Sequence, residues 1–281
     1  MPVARLCAAE VMGTFLLVLF GTGSVAAAVF TGAQVGLWQV AVVWGFGVTI
    51  AIYATAAVSG AHLNPAVSLA FAILRPREFP IRRLAAYWAS QLTGGILAGI
   101  VVLAVFSPFV SKFESENGIV RGEPGSERSA MAFGEYFPNP AMFPDAPELV
   151  TPFHAFAVEA LGTAILVLVI FALIDTRNVA LPSKGLAPFF IGFTVAILIS
   201  LFAPITQAGW NPARDFGPRI VAFAAGWGSI AIPGPQSGFW VFILGPLVGG
   251  PIGGAIYDLV LRPGMKEPVE EPSLEPEPVN E

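Results

Sequence analysis

Apolar residues in this chain do not alternate with polar ones at a strand or surface-helix period. They run on uninterrupted. No Asp, Glu, Lys or Arg occurs in residues 11–74, 84–111, 185–213 or 220–257, and each run exceeds the roughly 20 residues a helix needs to cross a bilayer. Punctuation by Gly, Pro and charge divides the chain into predicted spans at about 7–30, 38–58, 82–106, 152–174, 186–203 and 237–259. Two shorter helices, 64–74 and 211–222, each follow an irregular stretch (59–63 and 204–210) and reach across only half a bilayer. Residues 107–150 are rich in Pro and acids and form a long loop after the third span. The predicted fold class is an all-α membrane protein with six transmembrane helices plus two half-helices.

The pattern occurs twice. Asn64-Pro65-Ala66 and Asn211-Pro212-Ala213 open the two short helices, with Asn as cap and Pro where the missing amide costs nothing. Gly45-Phe46 and Gly192-Phe193 stand 19 and 18 residues before each Asn, and Glu10 and Glu159 stand 54 and 52 before it. Ala9-Glu10-Val11-Met12-Gly13-Thr14 is echoed by Val158-Glu159-Ala160-Leu161-Gly162-Thr163. The chain is an internal duplication, and three full spans per half make the halves inverted. One domain is expected over 1–262: repeat one about 5–106, the loop 107–150, and repeat two about 151–262. Residues 263–281, rich in Pro and Glu, are expected to be a disordered cytoplasmic tail.

Composition agrees. The 281 residues are 55% hydrophobic and 12% charged, about half the charge of a soluble domain. Arg5, an apolar run and Ala26-Ala27-Ala28 have the outline of a secretory leader. Glu10, with its counterpart Glu159, assigns that segment to the fold instead. With six spans both termini share a side. Arg5, Arg75, Arg77, Arg82, Arg83, Arg177, Lys184, Arg262 and Lys266 face it, against Lys112, Arg121, Arg128, Arg214 and Arg219 opposite. That bias puts the termini in the cytoplasm and the long loop outside, in a multi-pass cell-membrane protein. One cysteine, Cys7, and two distant histidines leave no metal cluster, and no nucleophile–base set is visible. No enzyme activity, cofactor, metal or nucleic-acid partner is expected.

Irregular backbone at membrane depth is tolerated where it lines a water-filled cavity. Two inverted half-helices meeting at their N-termini make such a place, each end carrying about half a positive charge. Asn64 and Asn211 would turn amide donors into the lumen. Gly60-Ala61-His62 and Gln207-Ala208-Gly209 would line one wall with unpaired carbonyls. A neutral solute satisfies both; a cation meets positive helix ends. Glu10 and Glu159 read as structural acids accepting N–H bonds from the irregular segments, and Asp215 and Arg219 as an i, i+4 helix pair. Arg214 has no charged counterpart in repeat one, where Val67 stands, and a guanidinium so deep points to function.

Ser-Gly-Ala-His-Leu-Asn-Pro-Ala (59–66) and Asn-Pro-Ala-Arg-Asp-Phe-Gly-Pro-Arg (211–219) resemble the major intrinsic protein family, the aquaporins and glycerol facilitators. The resemblance covers about residues 5–260. It implies a right-handed bundle, a homotetramer with one pore per subunit, and a passive channel for glycerol, water and small neutral solutes such as urea or metalloid hydroxides. Asp215 after the second Asn-Pro-Ala-Arg, and the long third loop, resemble the glycerol-facilitator branch. By family offset the selectivity filter maps onto Trp44, Ile199, Ala208 and Arg214, implying an apolar wall facing a donor fork. Ile199 and Ala208 depart from the Gly and Phe of bacterial facilitators, and the set is similar to the plant nodulin-26-like group. Water-specific members carry His where this chain has Ile199. Three alternatives stay open: a channel mainly for water, an ion-coupled transporter using Glu10 and Glu159, and an adhesion protein without transport.

Overall fold

The computed structural model describes residues 1–34, 36–181 and 183–265. The expected disorder of the tail lies, from residue 266, outside them. Helices α1 (Val3–Thr31), α2 (Leu37–Ser59), α3 (Pro65–Leu74) and α4 (Leu84–Glu116) build the first repeat. A short α5 (Glu127–Ala130) lies in the connecting loop; α6 (Pro152–Ile174), α7 (Ala187–Thr206) and α8 (Pro212–Ala222) follow. After a one-turn α9 (Gly228–Ala231), α10 (Val241–Ile256) completes the second repeat. Among the described residues, six helices are long and apolar enough to cross a membrane and no strand occurs, so the protein is a multi-pass membrane protein. Their apolar residues face outward as well as inward, as a helix buried in lipid requires.

The repeats interlock. α1 packs on α4 and α6 on α10, α2 crosses α7 between the halves, and each half-helix leaves its own repeat: α3 seats against α10 and α8 against α4. Small residues permit this. A Cβ on Gly45 of α2 would meet the Gly192 carbonyl of α7 at 2.6 Å, so these repeat-equivalent glycines let the two backbones touch at the crossing. At one face the ends of α3, α6 and α10 meet: Arg75 chelates Asp258, while Arg262 (3.1 Å) and the Tyr257 hydroxyl (3.0 Å) reach Asp175.

Two elements differ from expectation. The third span continues past residue 106 to Glu116, held by buried Val110 and Glu114 and by Phe113 packed on Phe30. Nor is the loop an open strap. Residues 129–140 are buried, because the segment folds back over the bundle mouth. Arg121 and Ser129 bind Glu114 (2.9 Å each), Trp227 Nε1 binds Ser129 (2.9 Å), and Asn139 donates to the Ala203 carbonyl at the end of α7 (3.1 Å).

Candidate pore site

The site grows from two helix starts. Asn64 caps α3 by accepting the Ala66 N–H (2.8 Å), and Asn211 caps α8 by accepting those of Ala213 (3.1 Å) and Arg214 (3.3 Å). Pro65 and Pro212 occupy the first helical positions. Each Asn spends one amide hydrogen on the other repeat: Asn64 Nδ2 donates to the Trp210 carbonyl (2.9 Å), Asn211 Nδ2 to the Leu63 carbonyl (2.8 Å). The two half-helices are thereby tied N-terminus to N-terminus, and both Asn line a cavity of about 260 Å³.

The segments before each Asn are held in an uncommon conformation. Gly60, Ala61 and Leu63 in one repeat, and Gln207, Ala208 and Trp210 in the other, have left-handed φ from 48° to 85° at matching distances from Asn. Five of the six are not Gly, and each costs about 1–2 kcal/mol in that conformation. The geometry turns backbone away from helix pairing, and no donor among the described residues is bonded to the carbonyls of Gly60, Ala61, His62, Gln207, Ala208 or Gly209. Gly60, Ala61, His62, Ala208 and Gly209 line the 260 Å³ cavity. Gln207 lines the neighbouring cavity, and its side chain accepts the Tyr136 N–H (2.9 Å) and donates to the Met131 carbonyl (3.3 Å).

Behind this strained backbone lie the two acids, each wholly buried. Glu10 accepts from Ser59 Oγ (2.7 Å), the His62 and Leu63 N–H groups (3.0 and 2.8 Å) and Gln91 Nε2 (2.8 Å). Glu159 accepts from Thr206 Oγ1 (2.6 Å) and the N–H groups of Gly209 (3.0 Å) and Trp210 (2.7 Å). Ser59 and Thr206, like the paired amides, occupy equivalent positions five, two and one residues before Asn. Neither acid lines the cavity. His62 does; its ring stacks on Phe71 (4.6 Å) and packs on Phe79 (4.5 Å).

A second cavity, about 370 Å³, lies under the folded loop. Trp44, Ile199 and Arg214 line both cavities and so form the neck between them, with Ala208 on the first. The Arg214 guanidinium lies 4.1 Å over the Trp44 ring. Beside it stands a residue the sequence reading missed. Glu135, from the loop, forms an ion pair with Arg214 deep in the neck, both groups nearly inaccessible to solvent. Beside them Arg219 holds Asp215 through two bonds (2.8 and 2.9 Å), donates to the Ala231 carbonyl (2.8 Å) and contacts the Glu135 carbonyl. Asp215 also accepts the Glu135 N–H (2.7 Å), fixing the loop. The signal was a lone acid in an apolar stretch, 129–143. Among the described residues no group of three or more His, Cys, Asp or Glu is placed to hold a metal.

The chain matches the family model "Major intrinsic protein" over residues 1–257. It is 41% identical over 275 residues to a glycerol uptake facilitator protein of Pseudomonas aeruginosa, covering 97% of this chain and 94% of that protein. A glycerol uptake facilitator protein of Escherichia coli K12 is also 41% identical, over 253 residues (89% and 86% coverage). Among solved structures, the X-ray structure of the aquaglyceroporin from Plasmodium falciparum superposes with a TM-score of 0.79 at 26% identity, covering 93% of this chain and 98% of that one. With its two crossed Asn caps and inverted half-helices, this chain belongs to the major intrinsic protein family.

Proposed function

We propose that the protein is a passive channel through which glycerol and other small neutral solutes, with water, diffuse across the cell membrane. The observation that carries this reading is the lumen itself. Amide donors of Asn64 and Asn211 and free carbonyls on either side of them line a cavity whose remaining wall, apart from Lys184 and Arg214, is apolar. A polyol crossing it exchanges water for protein hydrogen bonds along one edge, where each unpaired hydroxyl would otherwise cost some kcal/mol. Its carbon edge meets Leu17, Val48, Phe71 and Val195.

Trp44, Ile199, Ala208 and Arg214 serve as the selectivity filter. The Asn-Pro-Ala motifs, with two helix ends, disfavour cations at the midplane. Ile199 and Ala208 leave an apolar, open neck suited to a carbon chain, and the relatives named as glycerol uptake facilitators support glycerol over water as the preferred solute. Glu10 and Glu159 brace the carbonyl segments; their bonds to wall amides, away from the lumen, argue against a coupling role. The positive bias of the face where the termini lie supports cytoplasmic termini, and membership of the family supports a homotetramer in lipid. Vesicles carrying the protein, placed in hyperosmotic glycerol, should shrink and then reswell within seconds. Reswelling no faster than in protein-free vesicles would refute the reading.

A further inference from the structure

At the neck and behind it the structure places four charges: Arg214 and Glu135, paired with each other, and Arg219 and Asp215, paired with each other. The second pair is closed, since the Arg219 guanidinium is occupied by Asp215, two backbone carbonyls and surrounding rings. The first pair is the one that faces the path. Both members line the cavity under the loop, and Arg214 extends into the next one. Glu135 is 3% exposed, and its Oε2 has no protein partner. A buried carboxylate with an unpartnered oxygen is costly to keep unless its charge serves something. Arg128, partly exposed and bonded to Asn117, also lines the loop-side cavity but is not part of the neck.

We propose that Glu135, delivered by the folded loop, is a fifth neck residue that cancels the charge of Arg214 and thereby sets the channel's discrimination among ions. On this account Arg214 offers hydrogen-bond donors to solutes without making the neck a cation. Ion exclusion then depends on the balance of the pair as well as on the half-helix ends. The sign follows from electrostatics: taking away Arg214 alone leaves an uncompensated carboxylate, which concentrates cations. Taking away both charges restores neutrality. Even in a water-like dielectric a unit charge about 4 Å away changes an ion's occupancy about fivefold, and more in a drier neck.

The inference rests on the passive-channel reading, and the experiment separates the two. Wild type, Arg214→Val, and Arg214→Val with Glu135→Gln are reconstituted, and glycerol, proton and sodium fluxes are measured on the same vesicles. Cation flux is expressed relative to glycerol flux, a ratio that loss of folded protein does not move. The expected result is a cation leak in Arg214→Val that falls at least fivefold when Glu135→Gln is added. An equal or larger leak in the double variant overturns the proposal, and so does an Arg214→Val channel that stays cation-tight. Should Arg214→Val fail to reach the membrane, Arg214→Met, nearer in length, gives the same comparison. Absence of glycerol flux in the wild type refutes the channel reading instead, whatever the charge variants do.

Discussion

Replacing Glu159 with Leu tests whether the buried acids hold the pore wall. Leu removes the acceptor for Thr206 Oγ1 and for the N–H groups of Gly209 and Trp210, bonded at 2.6, 3.0 and 2.7 Å. The hydroxyl can turn back to a carbonyl of its own helix, as Thr163 does to the Glu159 carbonyl (2.7 Å). The two amides cannot, because Gln207, Ala208 and Trp210 hold left-handed backbone that takes them out of any helix. At about 1–3 kcal/mol for each unpaired buried amide, the loss is roughly 2–6 kcal/mol. It falls on the segment whose Trp210 carbonyl receives Asn64 Nδ2, so the cross-tie between half-helices loosens with it. Glu159→Gln keeps one acceptor oxygen and turns an NH₂ toward the other donors, so about half of that cost is expected. Thermal unfolding in detergent, followed by tryptophan fluorescence, together with glycerol uptake in vesicles, measures both effects. The expected order of melting temperature and of flux is wild type, Gln, Leu. A Glu159→Leu protein as stable as wild type refutes the bracing role, and gradient-driven accumulation that vanishes in Glu159→Gln supports a coupled transporter.

Three further outcomes follow from other parts of the structure. Ile199→His combined with Ala208→Phe narrows the neck and makes it polar, and should lower glycerol permeability at least tenfold, about 1.4 kcal/mol of barrier, with a much smaller change for water; stopped-flow measurement of equal losses would show that these positions do not set selectivity. Cys7, in the first turns of α1, is half-buried and lines neither cavity, so mercurials should leave flux largely intact, and strong reversible block would mean that it opens on the path. Burial acts to raise the Asp175 carboxyl, but the Arg177 N–H, the Tyr257 hydroxyl and the Arg177 guanidinium outweigh it and hold it below the usual carboxylate range. The stability it contributes is present above the ordinary Asp value of about 4 and is lost as pH falls through the lower folded value; the melting difference between wild type and Asp175→Asn should persist at pH 6 and shrink below about pH 4.

The bundle and its half-helices were legible because their signals are local and doubled. Charge-free runs mark spans, Asn-Pro marks helix starts, and a second copy at matched offsets turned two weak motifs into one strong one. Glu10 and Glu159 were legible for the same reason: they recur in register, and each accepts bonds from equivalent amides. The neck was harder. Trp44, Ile199 and Arg214 come from three different helices, and only a family offset brings them to one ring. Nothing in the order of residues says that the Arg214 guanidinium lies on the Trp44 face. Glu135 was out of reach for a further reason. It sits in a loop without helical or strand period, 79 residues from its partner Arg214, and its placement depends on tertiary bonds from Asp215, Arg219 and Ala203 to that loop. The third span ran long because tertiary packing overrides local propensity there: Ser107-Pro108 lies inside the helix, and the turns beyond it are held by buried Val110 and by Phe113 on Phe30.

The central claim is passive conduction of a small polyol, and direction of transport tests it most directly. Purified protein in vesicles is given equal glycerol inside and out, with an imposed proton or sodium gradient. The account predicts that glycerol stays at its equilibrium distribution under either gradient, while exchange of labelled glycerol is rapid and of equal rate with and without the gradient. Net accumulation driven by either ion, abolished when the gradient is collapsed, would contradict it.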